Sequence, residues 1–193
     1  MAFDGEILRG KMLPISPAYR CAFALLCAER WLPNFDRVHG LADGRVAHRL
    51  VETLWEHVVG AEPLGPAELN AASEGAEALI VTDEELHDRY GDHVGDDLPG
   101  AQAAIASVAY AVRAILTGDP QEAVWAAQCS YDTADADAQR TLGHDASEAA
   151  LLASSFVQNE LGYQEADLVA LANAERSALN VLRARNRVRT KDC

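Results

Sequence analysis

Apolar positions recur along this chain at the spacing of one helix face, and nowhere do they alternate as a half-buried strand requires. The most apolar stretch runs from Cys21 to Ala28, where no residue is polar. A helix without a wet side for two turns has to be covered from every direction. Ser16 to Phe35 is therefore predicted to be the core helix. Ser16 is suited to the N-cap, and Pro17 to the first helical position, where its missing N–H satisfies nothing. The helix is expected to end at Leu32, because Pro33 biases its predecessor out of the α region, with Asn34 capping the next segment.

The remaining elements are read in the same way. Phe3 to Met12 makes a short amphipathic segment. A turn broken by Gly40 leads to Asp43, which caps a helix from Gly44 to Val59 with Ala47, Leu50, Val51, Leu54 and Val58 inward. His57 is expected to meet the last carbonyls of that helix beside Gly60. Ala67 to Ile80 and Pro99 to Thr117 are helical. Gly118 ends the latter, and Asp119–Pro120 starts a partner helix reaching about Leu142, so the two form a hairpin. Asp145 with Glu148 has the capping-box spacing. From Phe156, the positions Val157, Leu161, Leu168, Leu171, Leu179 and Leu182 argue one long final helix. The expected fold class is all-α: a single-domain multi-helix bundle, residues 1–193, around a buried central helix. The basic tail 183–193 is either part of the long C-terminal helix or extended.

A chain of 193 residues with 49% apolar content is long enough to bury its own core without staples. With no run of eighteen apolar residues and a charged, mixed start, the expectation is a cytoplasmic protein that does not enter a membrane. Cys21, Cys27, Cys129 and Cys193 are too far apart for a ligand pair or a disulfide framework. The formal net charge of -14 disfavours nucleic acid, whose phosphates need a basic surface. Charge is also segregated. From Glu175 onward six basic residues face two acidic ones, a net of +4, which leaves -18 on the rest. Such a tail either folds back on acidic surface of this chain or a second copy, or serves as a handle for an acidic partner.

Glu29 and Arg30 close the core helix. A carboxylate in the last turn meets the negative helix end, unfavourable by about 0.3–1 kcal/mol, so Glu29 needs a donor. Adjacent residues point apart, so each must find a partner on another element. They either tie the core helix to its neighbours or, with Asn34, form a buried polar site. A second candidate is the acidic window holding Asp83, Glu84, Glu85, Asp88, Asp92, Asp96 and Asp97, with His87 and His93 inside it. Its spacing matches no calcium loop, and it reads as a partner-facing surface. His48, Glu52 and Glu56 are spaced by four but interleaved with Arg45 and Arg49, which favours an ion-paired face over a metal row. Asp132 and Asp135 share a face without a third ligand. No metal or cofactor site is indicated.

Three stretches carry a family resemblance: CAERWLPNF at the end of the core helix, LTGDPQEAVWAAQCSYDTADADAQ, and SSFVQNELGYQEADLVAL. Together they resemble the YjaG-like proteins, an uncharacterised bacterial family. Trp31, Phe35 and Phe156 depart from its pattern, standing for an aliphatic residue, a tyrosine and a proline. The resemblance implies an all-α fold and supplies no activity or catalytic residues.

No nucleophile elbow, phosphate-cradling glycine loop or zinc-protease motif is present. The reading these features favour is a non-enzymatic interaction or regulatory protein, homo-oligomeric, with an acidic surface for a basic protein partner; an immunity role is one version, by analogy. The alternative is an α-helical enzyme with a carboxylate or metal site in the bundle core, in which Glu29, Asn34, His57 and His144 would be the groups to test. Mimicry of nucleic acid by the acidic face is a third.

Overall fold

The computed structural model describes residues 2–81, 85, 98–143, 145–173 and 175–189. Helix α1 is Gly5–Met12, α2 is Pro17–Val59 and α3 is Pro66–Glu77. Helix α4 is Leu98–Thr117, α5 is Pro120–Leu142 and α6 is Glu148–Ala153. Helix α7 is Ser155–Ala172, and a 3-10 turn at Arg176–Ala178 leads into α8, Leu179–Arg189. The fold is all-α, with no strand among the described residues.

Ser16 caps α2 as its sequence predicts, its hydroxyl accepting from the Tyr19 N–H. The predicted stop at Pro33 does not occur, because Pro33 lies inside a helix of 43 residues. An internal proline disfavours a helix by about 3 kcal/mol. Around it Trp31, Leu32 and Phe35 are buried, and each buried side chain of that size contributes about 1.5–3 kcal/mol. Burial of the surrounding turn outweighs the lost hydrogen bond.

Helix α2 is not straight. Asp36 and His48 are twelve residues apart, about 18 Å on a straight axis, yet His48 Nε2 and Asp36 Oδ2 are separated by 2.9 Å. The Arg183 side chain bonds both Glu29 and Glu52, which a straight helix would hold about 34 Å apart. Both pairs are centred between Gly40 and Ala42. The helix doubles back there into two adjacent arms; the separate helix expected from Gly44 with Asp43 as its cap does not exist, and in its place is a change of direction within one element.

Helix α4 lies along α2 and buries Ala101, Ala104, Ile105, Val108 and Val112 against the apolar run Cys21–Ala28. Approach is close at Gly100, where a Cβ would stand 2.7 Å from Asn34 Nδ2 and 3.0 Å from its Cβ. Alanine does not fit there without displacement. By length and composition alone α4 would cross a membrane, but 61% of its apolar window is buried inside the bundle. Gly118, at φ 67°, turns the chain, and Asp119 caps α5 through the Gln121 N–H, as expected. Buried Arg20 joins the start of α2 to this turn and to α1, donating to the carbonyls of Gly118, Met12 and Leu13.

Three other expectations are corrected. The cap of α6 is Ser147, which accepts from the Ala150 N–H, rather than Asp145. His57 does not meet the carbonyls of its own helix; Nδ1 accepts from the Leu64 N–H at 2.8 Å, and left-handed Gly60 closes the helix. The single long C-terminal helix is two. Asn173 stops α7, its side chain donating to the Val169 carbonyl, and α8 turns back so that Arg185 meets Asp167 at 2.9 Å. The basic segment is helical through Arg189 rather than extended.

Candidate functional site

Two ion clusters grow from the adjacent pair Glu29 and Arg30. Arg30 is 3% exposed. Its Nε and Nη2 donate to both oxygens of Glu160, at 2.9 and 2.8 Å, a bidentate fork. Nη1 donates to Asp167 at 3.0 Å and to Asn186 Oδ1 at 3.2 Å. The remaining atoms are also engaged. Gln164 donates to Glu160 and to the Ala127 carbonyl, Asn186 to the Leu26 carbonyl, and Arg185 to Asp167. One buried network thereby joins α2, α5, α7 and α8. Burial works to lower the Arg30 pKa, but attraction to Glu160, Cys27 and Asp167 prevails and raises it. The same burial drives the Cys27 thiol up to about 12, so it is not a nucleophile at neutral pH.

Glu29 faces the other way. Its Oε1 accepts from Arg183 Nε at 2.8 Å, while Oε2 is buried without a hydrogen-bond partner. Arg183 also forks onto Glu52, at 2.8 and 2.6 Å, and lies 5.2 Å over the Trp55 ring. Arg187 bonds Glu52 at 2.7 Å. Burial raises the Glu29 pKa, and the arginines offset only part of it. Hydrogen bonds from Arg183 and Arg187 hold Glu52 below the usual carboxylate range.

Beside the Arg30 network lies a cleft of about 360 Å³. Trp31, Asn34 and Arg37 of α2 form one wall, and Ala134, Asp137 and Arg140 of α5 a second. The third is the first two turns of α7, with Ser155, Phe156, Asn159, Glu160 and Tyr163. Glu160 belongs to both features. Neither Glu29 nor Arg30 lines the cleft, although their neighbours do.

The sequence candidates are thus separated. Glu29 and Arg30 serve different clusters, and Asn34 sits at the cleft and against Gly100. His48 pairs with Asp36 and Glu52 with the C-terminal arginines, so the row His48, Glu52, Glu56 is broken up. Asp132 and Asp135 accept from Gln128 and Gln139 on their own helix. Among the described residues no three of His, Cys, Asp and Glu gather as a metal set. Asp83, Glu84, Asp88, Asp92, Asp96 and Asp97 lie outside the described residues, as do His87, His93 and His144; Glu85 is exposed. Reading by sequence missed Glu160, Gln164, Asp167 and Asn186. Polar residues at 160, 164 and 167 recur at helical spacing beside Leu161, Leu168 and Leu171, and that signal was available.

Taken together, fold and clusters define a helical bundle clasped from within by salt bridges. The chain belongs to the DUF416 family, described as a protein of unknown function, which matches residues 10–193. The structure is similar to that of a DUF416 family protein from Shewanella baltica OS155, with a TM-score of 0.74 at 16% identity over 96% of this chain and 94% of the other. None of the curated proteins matches it.

Proposed function

We propose that this family member is a non-enzymatic interaction or regulatory protein, cytoplasmic, bacterial and homo-oligomeric, which offers an acidic surface to a basic protein partner. Within the family, the three motifs favour the YjaG-like branch. One observation supports the reading above others: the buried charged residues Arg30, Glu160 and Asp167 are engaged with one another between two helices. Arg183, Arg185 and Arg187 are ion-paired with Glu29, Glu52 and Asp167, so part of the basic end is paired within the chain. The acidic window between residues 83 and 97 then carries the charge that a basic partner would meet. Neither nucleic acid nor a membrane suits that charge.

The test is capture of a protein from the native cell by the intact chain and by one with the window's aspartates and glutamates amidated. A partner lost on amidation and at high salt fits; the same partner retained by the amidated chain removes the acidic surface from the proposal.

A second reading, an enzyme using a buried carboxylate, draws on Glu29, whose Oε2 is unpartnered and whose pKa is raised by burial. Metal analysis of the purified chain beside its Glu29→Gln variant separates the two. Bound metal that disappears in a folded variant moves catalysis ahead.

A further inference from the structure

We infer that the outward face of the α4–α5 hairpin is where a second copy of this chain docks, about a two-fold axis that sets Trp125 of each copy in a hollow of the other. This rests on the homo-oligomeric part of the reading above and gives it a surface. Three contacts fix how the two helices line up. Arg113 Nε donates to Glu122 at 3.1 Å, the Tyr110 and Trp125 rings are 5.6 Å apart, and the Thr133 hydroxyl reaches the Pro99 carbonyl at 3.4 Å. Along one face, away from the Gly118 turn, stand the Arg113–Glu122 pair, then Tyr110 with Trp125, then Ala106 with Cys129. The last two, with Gln102, Ala103 and Asp132, border a hollow of about 270 Å³. Cys129 follows Trp125 by four residues, so indole and hollow are one helical turn apart on the same side. Trp125 is 41% exposed. A face that carries both a projecting ring and a recess is complementary to itself when a copy is turned end for end, which is the isologous contact of a two-fold dimer.

Charge selects a copy of this chain as the occupant. End-for-end pairing sets Arg113 of one copy opposite Asp132 of the other. Arg113 spends its Nε on Glu122 and lies 5.2 Å over the Tyr110 ring, and its Nη groups make no hydrogen bond among the described residues. Asp132 is exposed; its Oδ1 accepts from Gln128, and its Oδ2 has no partner among the described residues. The two ends of one face therefore hold a spare donor and a spare acceptor, and reversal joins them twice. Elsewhere charge opposes self-association, because chains of net charge -14 repel one another. This face escapes that repulsion: Arg113 is the one charged residue among the twenty of α4, and it answers Glu122 across the hairpin. Tryptophan, tyrosine and arginine are also the side chains on which interface energy concentrates.

Sedimentation velocity of the full chain over a range of concentrations measures the dimer and its Kd. The parent chain is expected to dimerise. Trp125→Ser removes the projection and Ala106→Leu fills the recess, and each is expected to weaken dimerisation about tenfold or more, with circular dichroism unchanged. Asp132→Arg is expected to weaken it as well, although it makes the chain less negative and so lessens the general repulsion. Val181→Ser, at an exposed position on α8, is expected to leave it unchanged. A parent chain that stays monomeric overturns the second copy as occupant, and the homo-oligomeric reading with it, whether the face is bare or meets another protein. A dimer left intact by Trp125→Ser and Ala106→Leu, or weakened equally by Val181→Ser, overturns this face alone and leaves that reading standing. Tighter association of Asp132→Arg overturns the end-for-end pairing.

Discussion

Two neighbours in sequence, Glu29 and Arg30, experience burial in opposite ways. Both have raised pKa values, but for a guanidinium that strengthens the charged form and for a carboxyl it weakens it. Around Arg30 two carboxylates, an amide and a fork geometry more than offset the loss of water. Around Glu29 a single oxygen is bonded and the other is not, so desolvation prevails. Similar burial, 3% and 6% exposed, does not make equal ion pairs. What separates them is how many donors and acceptors reach each atom. The Arg30 side is a clasp, and the Glu29 side stores an unfavourable charge next to α8.

The sharpest way to break this contrast is Arg30→Met. It strands Glu160 and Asp167 in the core and should destabilise the fold by about 3–5 kcal/mol, a large share of the roughly 5–15 kcal/mol that holds a domain of this kind together. Urea denaturation measures it, and a loss below about 1 kcal/mol would show the network to be incidental. Glu160→Gln is the milder intervention. Arg30 keeps Asp167, and the amide still accepts one bond, so the expected loss is about 1.5–3 kcal/mol. If the two variants prove equal, the fork rather than the whole network carries the energy.

Much of the bundle was legible because its signals are local. Ser16, Asp119 and Pro120 mark helix starts through side-chain oxygens and a fixed φ, and each starts a helix where expected. The run from Cys21 to Ala28 is buried throughout, as a helix without a wet face must be. What could not be read was non-local. Pro33 and Asn34 look like a helix end until Trp31, Leu32 and Phe35 are known to pack together around them. The doubling back of α2 and the separation of α7 from α8 are visible only through pairs such as Asp36 with His48 and Arg185 with Asp167. The candidate site shows the same limit. Glu29 and Arg30 announced a need for partners, and the helical spacing of Glu160, Gln164 and Asp167, a signal the sequence reading passed over, could have put them on one face; nothing local says that the two faces meet. Asn186, 156 positions from Arg30, carried no signal at all.

The smallest effect tests the other half of the contrast. Glu29→Gln leaves Arg183 bonded to Glu52 and removes a charge that burial opposes, so at pH 7 stability should move by at most about 1 kcal/mol in either direction. The pH dependence discriminates further. A carboxyl whose pKa is raised on folding binds more protons in the native state than in the unfolded one, so its contribution is most favourable below the unfolded value, near 4.5, and is lost as pH rises through the folded value. Stability of the parent chain relative to Glu29→Gln should therefore decline as pH increases from about 4. Urea midpoints for both proteins across that range measure the difference. A parent chain that instead gains on the variant as pH rises means that Arg183 and Arg187 outweigh desolvation, and Glu29 then belongs with Arg30 as part of one clasp.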